Sequence, residues 1–335
     1  MTIEIPSPGE ARDVIPGLRW MRFPLPFPPH HVNVWLLEDE DGWLAIDTGV
    51  QDEATRRHWQ TALAGPAFGG RPLRRLLITH FHPDHAGLMG WLAAEHGMTP
   101  LMTRIEWLQA RAVWYDSGTD MLQQQADFAR IAGASASYSA YLLHRGALYE
   151  KAVARLPRSF EAIADGQSLR IGGRHWRILT GQGHAPDMAC LHCAEENILI
   201  AADQVLPRIT PYVGLHAGEP MGDPLGAFLA TLRRFHALPA ETFVLPSHGE
   251  PFAPLHDRLD AIMTHHEERL AALAEACAEP KTTHDLLPAL FRRPLDERSL
   301  GFGIGETLAH LRRLEEERRV ERLLRADGVI LWGRR

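Results

Sequence analysis

The chain has 335 residues, of which 45% are hydrophobic and 23% charged, so it can bury a substantial core. Its formal net charge of -7 provides no global basic field for gathering nucleic acid or an anionic membrane. The N-terminal residues lack the pattern of a secretory signal, and no stretch reaches the roughly 18 apolar residues of a spanning helix. The three cysteines fit a reducing compartment. We therefore expect a cytoplasmic protein that does not bind membranes.

The first hundred residues alternate strand-like and helix-like segments. Residues 1–31 are rich in proline, which predicts extended or turn structure. The segments that follow are, in chain order, strands at 32–38 and 42–49, a helix at 52–65, a strand at 73–79 and a helix at 86–97. Residues 105–158 contain few β-branched side chains and predict two or three helices inserted into this alternation.

The strand signal returns after the insertion and stops after residue 252. Strands are predicted at 168–173, 175–181, 188–193, 197–203 and 242–249, with a loop at 207–224 and a helix at 224–238. Helices at 256–279, 282–291 and 303–324 and a short strand at 328–332 then predict a winged-helix-like unit. We predict two domains, 1–255 and 256–335. His265 and His266, on the long helix of the second, are expected to be solvent-exposed.

A cluster of ligand-type side chains follows the strand at 73–79 directly. It consists of His80, His82, Asp84 and His85. If the chain stays extended past the strand, His80 and His82 point the same way. A single His-x-His is usually an incidental surface turn, but two histidines, an aspartate and a third histidine can supply nitrogen and oxygen ligands for two ions. The cluster therefore predicts a metal site.

The motif resembles that of the metallo-β-lactamase superfamily, whose signature His-x-His-x-Asp-His ends a core strand. Further contexts of this family occur in the expected order: IDTG at 46–49, GHAPD around His184, ILIAAD ending in Asp203, and VLPSHG around His248. One departure is Ala202, where many members have glycine. The resemblance covers residues 30–252 and implies a mixed α/β fold, a four-layer αββα sandwich carrying the helical insertion at about 105–158. The subgroup with a C-terminal winged helix, glyoxalase II-like or lactamase-β-2-like, is the most similar.

The resemblance also implies a ligand set and a mechanism. One divalent ion would bind His80, His82 and His184, the second would bind Asp84, His85 and His248, and Asp203 would bridge them. A bridging hydroxide would attack a carbonyl group, with Asp84 as the catalytic residue that orients it and handles its proton. Imidazole and oxygen ligands suit zinc, which we favour, as well as iron or manganese.

The substrate must be inferred from the surroundings of this site. The 105–158 insertion could form a lid or a homodimer interface, or its apolar side chains could only pack onto the body. Tyr212 and His216, in the loop after Asp203, are candidates for substrate contact. We predict a hydrolase of a small-molecule ester, thioester or lactone. The alternative is a nuclease that holds RNA or DNA with the winged helix, but acids and arginines nearly cancel in that segment, which argues against a nucleic-acid partner.

Overall fold

The computed structural model describes residues 3–116, 118–146 and 148–335. Within them the strands are β1 (Arg12–Ile15), β2 (Leu18–Pro24), β3 (His31–Asp39), β4 (Gly42–Ile46), β5 (Leu73–Leu77), β6 (Leu101–Thr103), β7 (Glu161–Ile163), β8 (Ser168–Ile171), β9 (Arg174–Gly181), β10 (Met188–Cys193), β11 (Ile198–Ala202), β12 (Phe243–Pro246), β13 (Lys281–Thr282), β14 (Val320–Leu324) and β15 (Ile330–Arg334). The α-helices are α1 (Glu53–Ala64), α2 (Pro83–Ala86), α3 (Met89–His96), α4 (Arg104–Tyr115), α5 (Thr119–Ile131), α6 (Ala136–His144), α7 (Tyr149–Ala152), α8 (Pro224–Phe235), α9 (Leu255–Ala276), α10 (Thr283–Leu290) and α11 (Glu297–Glu316).

The first sheet contains β1 to β7 in chain order. Neighbouring strands are antiparallel from β1 to β4 and parallel from β4 to β7. Along β4, Leu44 and Ile46 face one side of the sheet while Trp43 and Ala45 face the other, and all four are buried. A strand covered on both faces needs a continuous apolar run, which explains the strong strand signal here.

The second sheet has the order β12-β11-β10-β9-β8 and faces the first. The core between them contains side chains of both sheets, including Leu44, Ile46, Leu191 and Ile200. The opposite faces are covered by helices: α1 and α3 pack on the first sheet, and α8 and α9 pack on the second. The order helix, sheet, sheet, helix is the predicted four-layer α/β sandwich.

The insertion contains four helices, α4 to α7, in its described residues rather than two or three. Trp107 of α4 and Tyr149 of α7 are buried in the core of the first sheet. Tyr138 of α6 packs with residues of the C-terminal helices, whereas Leu108 and Leu143 are exposed. Much of the insertion's apolar surface therefore packs onto the body.

The C-terminal region has the predicted sequence of three helices and a hairpin, with one correction. The helix predicted at 303–324 ends at Glu316, Arg318 adopts a φ of 58°, and residues 320–324 form β14, which pairs with β15. The pairing partner lies later in the chain, so helical periodicity alone could not reveal it. The assignment as a winged helix and the domain boundary at 255 stay predictions.

The proline-rich entry segment has the predicted extended structure and forms β1 and β2, and β2 pairs along its length with β3. One further expectation differs from the structure. His266 is not solvent-exposed, since it is 1% exposed and lies against Phe228 of α8. Of the helices in the described part of the chain, none is long and apolar enough to cross a membrane.

Candidate metal centre

The ligand-type side chains lie where the strands of both sheets end at one edge. In the first sheet, β4 and β5 are parallel, and they lead into Asp47 and His80. In the second sheet, β11 and β12 are parallel and lead into Asp203 and His248. β9 runs in the same direction as β11, because both are antiparallel to β10, and it is followed by His184. Topology therefore brings distant parts of the sequence to one place.

The first ligand group consists of His80, His82 and His184, whose potential ligand atoms all lie within 4.8 Å of one another. His80 Nε2 lies 3.1 Å from His82 Nδ1, and the ring centroids of His82 and His184 are 4.6 Å apart. Burial, and after it the neighbouring histidines, hold the pKa values of His80 and His82 well below their usual range. Both rings are therefore neutral near pH 7, which is the form that binds a metal.

The second ligand group consists of Asp84, His85 and His248, again with ligand atoms within 4.8 Å. Burial disfavours a charge on His248, but Asp203 and Asp84 raise its pKa to about 10. Burial also opposes the charge of Asp84, yet His85 and His248 lower its pKa to about 2. Against the same burial, Asp84 and Asp203 raise the pKa of His85 well above its usual value. The carboxylates thus make this pocket favourable for positive charge.

Asp203 lies between the two ligand groups. Its Oδ2 atom is 3.4 Å from Nε2 of His184, 3.6 Å from Nε2 of His85 and 3.3 Å from Nε2 of His248. Despite burial, His248 and His85 hold the pKa of Asp203 well below its usual range, so it is ionised. This placement matches the bridging position that the resemblance implies. The preceding Ala202 has a φ of 47°, a left-handed conformation that favours glycine.

Four of the five histidines are oriented through Nδ1. The Nδ1–H of His85 donates to Asp47 Oδ2 (2.8 Å), since a carboxylate only accepts. The Nδ1 atom of His80 contacts Thr79 Oγ1 (2.9 Å). Nδ1 of His184 contacts the Tyr212 carbonyl (2.7 Å), and Nδ1 of His248 contacts the His31 carbonyl (2.7 Å). Thr79 donates its own hydroxyl to Asp47 and thereby accepts from His80. Each of these rings therefore directs Nε2 into the centre. Metal-binding histidines are commonly oriented in this way, by a hydrogen bond from the ring nitrogen that does not bind the metal.

The donor set fits divalent metal ions. His85 Nε2, His184 Nε2 and Asp203 Oδ1 are buried and have no hydrogen-bond partner in the described structure. Buried polar atoms without partners are unfavourable, and a bound cation would satisfy all three. Imidazole nitrogens combined with carboxylate oxygens are ligands for zinc, iron or manganese, so the donors alone do not select one metal.

The two candidates for substrate contact are placed differently. The Tyr212 carbonyl orients His184, and its ring centroid lies 5.1 Å from that of Phe302. His216 is exposed, and its ring lies 5.8 Å from Tyr212. Both residues therefore adjoin the first ligand group, while their contact with a substrate stays a prediction.

Sequence reasoning missed several residues that contact the ligand-bearing segments. Asp47 was noted as part of a motif, but its contact with His85 was not predicted. Glu106 accepts the backbone N–H groups of Phe81 (2.9 Å) and Asp187 (2.7 Å). Tyr149 donates to the Phe81 carbonyl. The spacing of Thr103 and Glu106 at the start of α4, a capping-box pattern, is a local signal that could have drawn attention to Glu106.

Comparisons with known proteins identify the family and the fold. Residues 27–248 match the metallo-beta-lactamase superfamily, and residues 270–335 match the metallo-beta-lactamase-like C-terminal domain. The crystal structure of a beta-lactamase domain protein from Burkholderia ambifaria is 35% identical and superimposes with a TM-score of 0.92, covering 99% of this chain and 96% of that one. The probable metallo-hydrolase YqjP of Bacillus subtilis is 27% identical, covering 89% of this chain and 92% of its own. An atrochrysone carboxyl ACP thioesterase from Aspergillus fumigatus is 28% identical over 120 residues, which are 36% of this chain and 26% of that protein.

Proposed function

Because the chain belongs to the metallo-beta-lactamase superfamily and is a metal-dependent hydrolase, we propose that it uses two divalent ions to cleave a small-molecule ester, thioester or lactone. The observation that carries the two-ion proposal is the position of Asp203. One of its oxygens lies 3.4 Å from His184 of the first ligand group and 3.3 Å from His248 of the second. A single carboxylate can therefore serve both groups.

Two ions held there would supply a nucleophilic hydroxide at neutral pH and positive charge for the oxyanion that develops on the substrate. The protein's task is to orient the histidines, exclude bulk water and manage one proton. Asp84 suits the last role because its side chain is 14% exposed, whereas that of Asp203 is 7% exposed. Its low pKa keeps it ionised, so that it could accept a hydrogen bond from the nucleophile that the bound ions would supply.

The surroundings of the first ligand group support an acyl substrate. Phe302 is 61% exposed beside Tyr212, whose carbonyl orients His184. An exposed aromatic ring that packs on Tyr212, a neighbour of His184, suits an apolar acyl group better than a phosphodiester. The similarity to a thioesterase adds weight to a thioester, although it covers a minority of the chain.

Several arginines of the C-terminal region are engaged by acids and so are not free to bind phosphate. Arg312 pairs with Glu316 (2.6 Å), Arg313 pairs with Asp223 (3.1 Å), and Arg322 also pairs with an acid. Nucleic-acid modules normally present unpaired basic side chains on one face. We therefore rank the small-molecule hydrolase above the nuclease.

A turnover panel on zinc-, iron- and manganese-loaded protein tests the reaction. It comprises acyl-CoA and glutathione thioesters, aryl esters, lactones, a phosphodiester and a short RNA. The proposal expects cleavage of at least one ester, thioester or lactone, and loss of that activity on chelation. Cleavage of the phosphodiester or RNA alone would overturn it.

The role of Asp84 is tested by Asp84→Asn, which keeps the shape of the side chain but removes its charge. We expect kcat to fall about 10²–10⁴-fold, the usual range for losing a proton-handling group. Metal content, measured on the same sample, separates this effect from loss of a ligand. Full turnover with both ions retained would contradict the role.

A further inference from the structure

Glu106 is a buried carboxylate without an ion-pair partner among the residues that the structure describes. It lies in the first turn of α4 and is 0% exposed. Burying an acid away from cations is costly unless its oxygens are hydrogen-bonded. Its hydrogen-bond partners are therefore the reason to ask what this side chain does.

Its two oxygens accept from two different loops. Glu106 Oε2 accepts the N–H of Phe81 at 2.9 Å, and Oε1 accepts the N–H of Asp187 at 2.7 Å. Phe81 stands between His80 and His82, and Asp187 is three residues after His184. One carboxylate thus connects the loop after β5, in the first sheet, with the loop before β10, in the second.

The same two peptide units are also held at their carbonyl groups. Tyr149 of α7 donates its hydroxyl to the Phe81 carbonyl. Thr103, at the end of β6, donates its hydroxyl to the Asp187 carbonyl at 2.8 Å. Side chains at the start and end of the helical insertion therefore fix both ligand-bearing loops.

A purely local capping role does not account for these contacts. In a capping box, the Glu side chain would accept the N–H of Thr103. The backbone N–H of Glu106 does donate to Thr103 Oγ1 (3.4 Å), but the Glu106 oxygens are directed to Phe81 and Asp187 instead. Of the two hydrogen bonds of a capping box, only the one from the Glu106 N–H to Thr103 is present, and the Glu106 carboxylate binds the two loops.

We propose that Glu106 is a positioning residue that sets the spacing between the His80–His82 loop and the His184 loop, and so preorganises the first ligand group. The inference rests on the proposed function, since it takes these three histidines as ligands of one ion. The ligands come from separate segments, and a metal binds more tightly when their relative placement is fixed beforehand.

The test is a competition titration of chelator-stripped protein with Zn²⁺ and a chromophoric chelator. Glu106→Gln keeps the shape of the side chain but replaces one accepting oxygen with an NH₂ group that faces a backbone N–H. We expect one of the two zinc ions to bind about 10–100-fold more weakly, the effect of losing an outer contact of a metal site. The other ion should lose less affinity, because His85 is also held by Asp47 and Thr48 and His248 by the His31 carbonyl, none of which Glu106 contacts. Tyr149→Phe should weaken the same ion to a smaller extent.

Asp39→Asn is the matched control. Asp39 also accepts backbone N–H groups of two segments, from Glu40 (3.0 Å) and Gly172 (3.1 Å). It ends β3, whose first residue, His31, contacts His248, so it lies at the opposite end of the sandwich. Asp39→Asn should leave both zinc affinities unchanged, even if it lowers the melting temperature.

Wild-type zinc affinities at both sites in a folded Glu106→Gln protein would overturn the inference. If that variant does not fold, Glu106→Asp decides by the same criterion, since it keeps the charge but is too short by one methylene group to reach both loops. Failure of the wild-type protein to bind zinc, iron or manganese would instead contradict the proposed function. The two failures are therefore distinguishable.

Discussion

The histidines of the second ligand group and the buried pair His266 and His310 behave in opposite ways. In the metal centre, Asp203 and Asp84 raise the pKa of His248 to about 10 against the effect of burial. Between α9 and α11, His266 Nδ1 and His310 Nε2 lie 3.1 Å apart, and burial lowers both pKa values to about 3. The same side chain favours charge in one place and excludes it in the other.

The difference is the presence of carboxylates. His310 Nδ1–H donates to the Glu306 carbonyl, so its Nε2 accepts from His266. The edge of His266 contacts the ring of Phe228, and its Nε2 has no partner in the described structure. With two imidazoles and no converging acid, this pair is a packing element. Histidine content alone therefore does not predict a metal site, whereas convergence with ionised aspartates does.

The largest expected effect is that of removing the bridging carboxylate. Asp203→Asn keeps the volume but removes the charge shared by the two ligand groups. We expect kcat/KM to fall by more than about 100-fold, which exceeds the effect of losing a residue that only hydrogen-bonds to a metal ligand. The metal content should fall below two ions per chain. Kinetics on the cleaved substrate and metal analysis of one preparation check this. Unchanged values for both would show that Asp203 is not shared.

A smaller effect on metal binding is expected from Asp47, which contacts the ligand His85 and is not itself a ligand. Asp47→Asn weakens the hydrogen bond that orients His85 and also changes the contact with Thr79. We expect about 10–100-fold weaker binding of the ion held by the second ligand group, measured by zinc competition. Thr48, next in the chain, holds the His85 carbonyl through its hydroxyl. Thr48→Ser retains that hydroxyl and serves as the control that should not change zinc affinity.

Substitution in the pair His266 and His310 should change the stability of the protein but not its metal content. His266→Leu leaves His310 Nε2 without its donor, and we expect the free energy of unfolding to fall by about 1–3 kcal/mol. Metal content and kcat/KM should stay within about twofold of the wild-type values, since no acid converges on the pair and it lies outside both ligand groups. Denaturant unfolding and metal analysis test both parts. Loss of an ion in this variant would contradict the conclusion that His266 and His310 serve packing and not metal binding.

The smallest effect concerns acid stability. The folded pKa of His266 is about 3, below the unfolded value near 6.5, so the folded state binds fewer protons between these pH values. The free energy of unfolding therefore falls as pH drops below 6.5. In metal-free protein, the fall between pH 6.5 and 5 should be about 1–2 kcal/mol smaller in His266→Leu than in the wild type. Equal slopes would mean that the pair does not titrate on unfolding.

The two regions also show what sequence can predict. His80, Asp84 and His85 form a local pattern, and His184, Asp203 and His248 each follow a recognisable context in order. The buried position of His266 could not be read in this way, because it depends on Phe228 and His310, which lie 38 and 44 residues away along the chain. The role of Glu106 was not predicted for the same reason, since its hydrogen-bond partners are backbone groups of distant loops. Local patterns reveal ligands, whereas the residues that hold them are determined by tertiary contacts.

We propose that the converging carboxylates and histidines hold two divalent ions. The most direct test is metal analysis of wild-type protein that has been stripped with chelator, reconstituted separately with zinc, iron or manganese, and desalted. The account predicts close to two ions per chain with at least one of these metals. Far less than one ion per chain with all three would contradict it.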